Sequence, residues 1–335
     1  MVKAAVIGAS GYAGAELCRI LSGHPDCELT GVFVSSKSED LGKRVSDLYG
    51  SLYGICDLVL QAVPDAASLA DIADCVFLAT DHRVSHDLAP LLIEHGVKVF
   101  DLSGAFRIQD LDVFAKAYGF AHEHEALLRE AVYALPEHTD HEQIRAARLL
   151  SLPGCYPTAS QTALNPLIDG QLLDLSYRPV IDAVSGVSGA GRKAKLASSF
   201  CEVSMNAYGV FTHRHQPEIA EHLGTQVIFT PHLGPFKRGI LATITARLRA
   251  GVGKAEVSAA YEKAYAHTPC VRFKHSLPYL SDVQGTPFCD VGFCVSDDGY
   301  IIAVAAIDNL LKGASAQAVQ VFNIANGFDE CSGLL

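Results

Sequence analysis

Residues 3–25 read KAAVIGASGYAGAELCRILSGHP. Lys3 to Ala9 is a short apolar run closed by glycine, after which Ala13, Leu17, Ile20 and Leu21 recur at helical spacing until Gly23 and Pro25 stop them. This spells strand, turn, helix. Gly8, Gly11 and Gly14 occupy the turn as G-x-x-G-x-x-G, where backbone amides can approach a phosphate at the positive end of a helix. A tight turn can use glycine for geometry alone, but placement at the first strand-to-helix crossover tips the reading towards a dinucleotide. Gly8, Ser10, Gly11, Tyr12 and Gly14 are therefore the first candidate cofactor contacts.

Working outward, Leu29 to Val34, Val76 to Ala79 and Val97 to Leu102 are further strand-like runs, with the helical pattern Leu88, Leu91, Leu92 and His95 between the last two. Alternating strands and helices predict a parallel sheet that binds its ligand beyond the carboxyl ends of the strands, where Ser103 to Arg107 would also lie. From about Leu149 the texture changes. Pro, Gly and Ser clusters separate the runs Pro179 to Val184, Val227 to Thr230, Ile240 to Leu248 and Tyr300 to Ala306, which predicts a second, mixed or antiparallel sheet. Ser315 to Ala325 is helical by spacing and is suited to pack back on the first domain. A chain of 335 residues exceeds what one core usually serves, so the fold class is α/β with two domains.

Net charge is −11 and no basic run exceeds a pair, which argues against a nucleic-acid partner. No stretch approaches the roughly 20 apolar residues of a membrane span and the N-terminus lacks a signal-peptide pattern. Ten cysteines without a C-x-x-C pair or a tight framework fit reduced thiols, so a cytoplasmic enzyme is expected.

Cofactor choice turns on the end of the second strand. A cofactor without a 2′-phosphate usually meets a carboxylate there. Here the chain reads Val34-Ser35-Ser36-Lys37-Ser38, with Lys43 and Arg44 nearby. Hydroxyls and cations suit a 2′-phosphate, so Ser35, Ser36, Ser38 and Lys43 are assigned to NADP(H).

One cysteine stands apart. Cys155 lies in Leu152-Pro153-Gly154-Cys155-Tyr156-Pro157-Thr158, between a strand-like run and a helical pattern, with Pro157 suited to the first helical position. At a helix N-terminus the unpaired amides favour thiolate and can hold an oxyanion, which is the address of a nucleophile. A proton handler is offered by Thr212-His213-Arg214-His215-Gln216-Pro217-Glu218. Pro217 places His213 and His215 on a loop before a helix, and Glu218 can orient one imidazole. Spacing does not choose between the two histidines. No third ligand accompanies them at metal-binding spacing, so no metal is assigned. Arg107 and Arg192 are candidates for anionic groups of a substrate, and the glycine-rich Ser185 to Arg192, with Ser185, Ser188 and Gly189, for wrapping a phosphate or nicotinamide ribose.

These residues together resemble the N-acetyl-γ-glutamyl-phosphate reductase family, the arginine-biosynthesis branch of the aspartate-semialdehyde dehydrogenase superfamily. The signs are GASGYAG at 8–14, DLSGAFR at 101–107, PGCYPT at 153–158, SGVSGAGR at 185–192, HRHQPEI at 213–219, FTPHL at 229–233 and DNLLKGA at 308–314. The chain departs from the pattern at Ala134 and at Gly104-Ala105. The resemblance implies a Rossmann-like NADP-binding domain over 1–150 plus about 310–335, and an α+β catalytic and dimerisation domain over 151–309. It further implies cysteine catalysis assisted by a histidine of the HRH segment, Asn309 near the nicotinamide, an acyl-phosphate substrate with release of inorganic phosphate, and a homo-oligomer, dimer or tetramer. A related lysine-pathway reductase using a carrier-protein-bound acyl phosphate, and a non-catalytic NADPH-binding sensor, are the rival readings.

Overall fold

The computed structural model describes all 335 residues. The chain begins with β1 (Val2–Ile7), α1 (Tyr12–Ser22), β2 (Cys27–Val34), α2 (Val45–Leu48), β3 (Gln61–Ala62), α3 (Ala66–Ala70), β4 (Cys75–Leu78), α4 (His82–Glu94) and β5 (Lys98–Asp101). It continues through α5 (Leu111–Tyr118), α6 (Glu125–Glu130), β6 (Val132–Tyr133), α7 (His141–Ala146) and β7 (Leu149–Ser151). Then follow α8 (Cys155–Asp169), β8 (Val180–Gly186), β9 (Asn206–Ala207), α9 (His215–Leu223), β10 (Ile228–Gly234), β11 (Ile240–Arg247) and α10 (Lys254–Tyr265). Strands β12 (Val271–Phe273), β13 (Cys289–Val295) and β14 (Tyr300–Ile307) precede the last helix, α11 (Ala316–Asn326). Two units result, Met1–Pro153 with Ala314–Leu335, and Gly154–Gly313.

The first unit is built on seven parallel strands in the order β3-β2-β1-β4-β5-β7-β6. Its central strands are buried along their length, as Ala4 to Ile7, Val76 to Leu78 and Val99 to Phe100 show, because a parallel sheet carries cover on both faces. Ile7, Val76, Leu78 and Val99 share one core with Leu69 and Leu92. Helix α11 belongs to this unit: its Phe322 ring packs 5.8 Å from Phe77 and 5.9 Å from Phe100, and Ser315 Oγ donates to the Ala13 carbonyl at 2.8 Å. The segment after it is tied down as well, Asn323 Nδ2 donating to the Glu330 and Ser332 carbonyls. Since β1 lies between β2 and β4, the strand order reverses at β1, and the loop Gly8 to Gly14 leaves the sheet at that switch point.

The second unit is a seven-stranded mixed sheet in the order β12-β13-β14-β11-β8-β10-β9. β8 pairs parallel with β10 and antiparallel with β11, which pairs antiparallel with β14. Strand β11 alternates: Ile240, Ala242, Ile244 and Ala246 enter the core, while Leu241, Thr243 and Thr245 face the other way and stay half-buried. Helices α8 and α10 cover the core face, with Tyr261 and Tyr265 of α10 donating their hydroxyls to the Ala163 and Thr162 carbonyls of α8. Helix α8 is buried from Tyr156 to Leu167, polar residues included. It tolerates them by internal bonding, Thr158 Oγ1 donating to the Gly154 carbonyl at 2.9 Å and Thr162 Oγ1 to the Thr158 carbonyl at 2.8 Å.

Candidate active site

Helix α8 starts at Cys155 itself, with Gly154 as its N-cap and no side chain capping it. Pro157 is thus the third helical residue and not the first as the sequence suggested. The shift costs nothing, because every N–H of the first turn lacks a helical acceptor and proline merely lacks the donor. The amino end of α8 is held from another direction: Glu218 Oε1, on a fully buried side chain, accepts the Gly154 N–H at 2.9 Å. Cys155 is half-buried at this end.

The same offset corrects the reading of the histidines. Helix α9 begins at His215, with Pro217 third, so only His213 lies on the preceding loop. The rings of His213 and His215 stand 4.9 Å apart, and Tyr156 lies 5.8 and 5.9 Å from them. Tyr208 closes the group, 5.5 Å from His213, its hydroxyl 3.3 Å from that of Tyr156, which itself donates to the His232 carbonyl at 3.0 Å. Burial pushes both tyrosine hydroxyls up, so neither ionises near neutrality. Neither tyrosine was singled out from the sequence, because aromatic residues next to a motif look the same whether they line a site or a core.

The tautomer of His213 is fixed. The His215 backbone N–H donates to His213 Nδ1 at 3.2 Å, so in the neutral ring the proton sits on Nε2. Burial, and then the Arg214 charge, pull His213 down to about 4. At neutral pH it is an uncharged ring presenting an N–H.

Asp308, which follows β14, is wholly buried. Its Oδ1 accepts the Leu310 and Leu311 N–H groups, and its Oδ2 accepts Arg238 Nε at 2.6 Å and the Gly285 N–H at 2.8 Å. Asn309 Oδ1 accepts the Gly239 N–H at 2.6 Å and its Nδ2 donates to Ser188 Oγ at 3.0 Å. The structure therefore joins Asn309 to Ser188, and an added Cβ at Gly189 would come within 2.9 Å of Ser185 Oγ. Arg192 is exposed on the same segment.

Arg107 is placed differently from its expected use. It is buried, with Nε donating to the Leu152 carbonyl and Nη2 to the Leu102 carbonyl, both at 2.7 Å, so it braces the backbone that leads to Pro153. The departure at Gly104 has a steric cause in this chain, since a Cβ there would lie 2.1 Å from the Tyr118 hydroxyl oxygen.

In the first unit the three loop glycines have distinct reasons. Gly8 has φ +90° and its Cβ would stand 2.2 Å from the Ala79 carbonyl oxygen, and a Cβ on Gly14 would stand 2.2 Å from that of Gly8. Gly11 meets nothing closer than 3.4 Å, so the turn does not demand it, and its bare surface lies where α1 starts without a side-chain cap or a first-turn acid. This arrangement fits a pyrophosphate. At the end of β2, Ser35 Oγ accepts the Lys37 N–H and Ser38 Oγ the Asp40 N–H, while Lys43 pairs with Asp40 at 3.0 Å. Asp40 is a partner that the sequence reading overlooked.

Elsewhere His86, Asp87 and His124 bring three possible metal ligands within 4.8 Å of one another. Both His86 nitrogens are already engaged, Nδ1 with Asp87 at 2.7 Å and Nε2 accepting the Glu123 N–H at 3.0 Å, which makes this a hydrogen-bonded group.

Family models match both parts of the chain: "Semialdehyde dehydrogenase, NAD binding domain" over 3–147 and "Semialdehyde dehydrogenase, dimerisation domain" over 155–309. The chain belongs to the semialdehyde dehydrogenase family. As such it is an oxidoreductase, and its cofactor is a nicotinamide nucleotide. Among semialdehyde dehydrogenase relatives it is 58% identical to the N-acetyl-gamma-glutamyl-phosphate reductase of Pasteurella multocida (strain Pm70) and 55% identical to that of Escherichia coli (strain K12), each alignment covering 100% of both chains. In fold it is similar to aspartate semialdehyde dehydrogenase II of Vibrio cholerae (TM-score 0.72, 17% identity, 98% of each chain). It is also similar to the Candida albicans aspartate semialdehyde dehydrogenase solved with NADP (TM-score 0.69, 16% identity, 97% of this chain and 98% of that one). No helix of the chain is long and apolar enough to cross a membrane.

Proposed function

We propose that this chain reduces N-acetyl-γ-glutamyl phosphate to N-acetylglutamate semialdehyde with release of phosphate, using NADPH and a thioester on Cys155. The observation that carries the reading is Cys155 at the first position of α8, which no side chain caps, next in sequence to Tyr156, whose ring packs against a histidine pair in which one tautomer is fixed. Relatives at 55–58% identity over the full length that bear the name of this reaction support the choice of substrate.

The Cys155 thiolate, favoured by the helix N-terminus, attacks the acyl carbon and its S–C bond replaces the bond to phosphate, whose departing oxygen takes from His215 the proton given up by the Cys155 thiol, so that phosphate leaves as the dianion. The amides at the start of α8 and the Nε2–H of His213 suit the tetrahedral oxyanion, since an uncharged imidazole donates to developing charge without supplying a proton. His215 is then the proton handler, and Glu218 is a positioning residue that ties Gly154 to α9. Gly8, Ser10, Gly11, Tyr12 and Gly14 would hold the pyrophosphate of the cofactor, Ser35, Ser36, Ser38 and Lys43 its 2′-phosphate, and Ser188, Gly189 and Asn309 its nicotinamide end. When bound, NADPH supplies the hydride that reduces the thioester carbonyl. The tetrahedral carbon collapses to aldehyde as the Cys155 sulfur departs and is again stabilised as thiolate by α8. Exposed Arg192 is the better candidate for a substrate anion than the buried Arg107, with Ser185 of the same segment as a second candidate.

For assembly, the half-buried face of the second sheet, with Leu241, Thr243, Thr245 and Ile302, is suited to a second copy of the chain. The family model's description as a dimerisation domain supports this.

The deciding experiment runs the reaction backwards: reduction of NADP⁺ with N-acetylglutamate semialdehyde, with and without phosphate, against aspartate semialdehyde. Phosphate-dependent turnover of the acetylated substrate alone is the expected result. Preference for aspartate semialdehyde, or turnover independent of phosphate, overturns the proposal.

A further inference from the structure

The turn Asp308 to Gly313 passes directly behind the nucleophile. It is stiff for a stated reason: Asp308 caps it through two backbone N–H groups, is itself anchored by Arg238 and the Gly285 N–H, and its main-chain carbonyl accepts the Gly313 N–H at 2.9 Å. The chain then runs through a π-helical turn, Leu311–Ser315, a geometry that is rare and recurs at functional sites. At Gly313 a Cβ would lie 2.8 Å from Cys155 Cβ, 3.1 Å from Ile307 Cδ1 and 3.3 Å from the Asp308 carbonyl oxygen. Real Cβ atoms do not approach at 2.8 Å, and neither neighbour on that side gives easily. Cys155 Cβ is one bond from the backbone, and the start of α8 is pinned by Glu218 on the Gly154 amide.

We infer that Gly313 is a positioning residue for the reaction: its missing side chain lets the stiff turn act as a backstop that fixes Cys155 Cβ, and with it the sulfur, at the amino end of α8. The inference rests on the reading of Cys155 as nucleophile. A methyl at 313 has one soft neighbour, Ile307 Cδ1, and one hard one, Cys155, so the displacement falls on the thiol unless room is made at 307.

The test compares wild type, Gly313→Ala, the double variant Gly313→Ala with Ile307→Val, and Cys155→Ser. It measures kcat, KM, circular dichroism, and the pH profile of iodoacetamide alkylation at Cys155 read by peptide mass. Gly313→Ala should fold, lose about 100-fold in kcat with little change in KM, and show its alkylation midpoint moved to higher pH, because a sulfur displaced from the helix end is less stabilised as thiolate. Ile307→Val in that background should restore about tenfold and move the midpoint back. Wild-type kcat in Gly313→Ala overturns the inference, as does lost activity with an unmoved alkylation profile. If the single variant fails to fold, the double variant is judged on the same two readings against wild type, and failure of both to fold assigns Gly313 to the fold and overturns the positioning role. An active Cys155→Ser enzyme instead overturns the thioester, a separate failure that leaves the alkylation comparison readable.

Discussion

At the scale of single residues, ionisation and exposure have to be separated. Cys201 and Cys294 are exposed whereas Cys155 and Cys331 are half-buried, so exposure alone does not single Cys155 out. What singles it out is its helix end. The Cys18 thiol donates to the Cys56 sulfur, which holds Cys56 down to about 6 and pushes Cys18 well up, but both are buried; burial likewise pushes Cys27 up to about 12. Limiting iodoacetamide near pH 7 should therefore label Cys155 ahead of Cys201 and Cys294, and NADP⁺ with the aldehyde should protect it; equal labelling of the three would remove the thiolate from the argument. For the histidines, His213→Asn and His215→Asn should each lower kcat, the latter by about 10²- to 10⁴-fold as expected for a lost proton handler. Two near-silent variants would take the segment out of the mechanism. For the cofactor, Lys43 is shared with Asp40, which leaves the hydroxyls of Ser35, Ser36 and Ser38 as the main feature of the loop. Ser36→Asp should cut kcat/KM for NADPH by tenfold or more, roughly the 1.5–3 kcal/mol of a charged hydrogen bond, and spare NADH. Equal use of NADH and NADPH by the wild type would show that the loop was misread.

At the scale of elements, the Glu218 contact couples the starts of α8 and α9. Glu218→Ala leaves the buried Gly154 N–H without its acceptor and should cost about 1–3 kcal/mol in chemical denaturation, whereas Glu218→Gln keeps an oxygen there and should cost less. Equal losses would mean that the charge, not the acceptor, is what matters. This contact also shows where reading the sequence stops. Long periodic runs such as β11 and α1 were legible because each carries its own apolar pattern. Strand β13 was not: Asp290 and Gly292 interrupt the pattern of CDVGFCV, and Asp290 is buried by pairing with Arg272 at 2.5 Å and Lys274 at 3.2 Å, partners remote in sequence. The two-residue strands β3, β6 and β9 are too short to show any period. The prolines marked both helix starts but misplaced them by two residues, since the first turn accepts proline at several positions. Arg107 read as a ligand for anions because nothing local announces that its acceptors are the carbonyls of Leu102 and Leu152.

At the scale of the whole molecule, acid should weaken the fold in a particular window. His122, pulled down to about 4 by burial and then by the nearby His86, accepts the His124 N–H on Nδ1 and bonds the Ala105 carbonyl through Nε2. His213 is lowered likewise. A histidine whose folded value lies below its unfolded one near 6.5 binds its proton more readily in the unfolded chain. Its contribution is therefore complete above about pH 6.5 and is lost as pH falls towards 4, by up to about 1.4 kcal/mol per pH unit for each ring. Urea midpoints measured from pH 7.5 to 4.5 should fall, and His122→Gln should fall less steeply than wild type whatever its stability at pH 7.5; parallel slopes would remove His122 from the account. Association is tested on the same preparations. Thr243→Arg, on the half-buried side of β11, should shift sedimentation towards monomer while the core face of the strand is untouched, and an unchanged sedimentation coefficient would send the search for the dimer contact elsewhere.

Helix α11 sits in the first unit although every residue of the second is translated before it. Phe77 and Phe100 emerge from the ribosome early, yet the Phe322 ring that packs against them is made only after the whole of the second unit. The usual order of synthesis, amino-terminal domain first, is thereby inverted: Gly154–Gly313 is an uninterrupted segment whose strands can all pair while translation continues, and the nucleotide-binding sheet, begun first, must wait with one apolar face uncovered until Ala314–Leu335 has been made. A nascent chain stalled just past Gly313 would hold a full set of strands for the second sheet and an unfinished first one, which is the form most exposed to aggregation and most dependent on being shielded during synthesis.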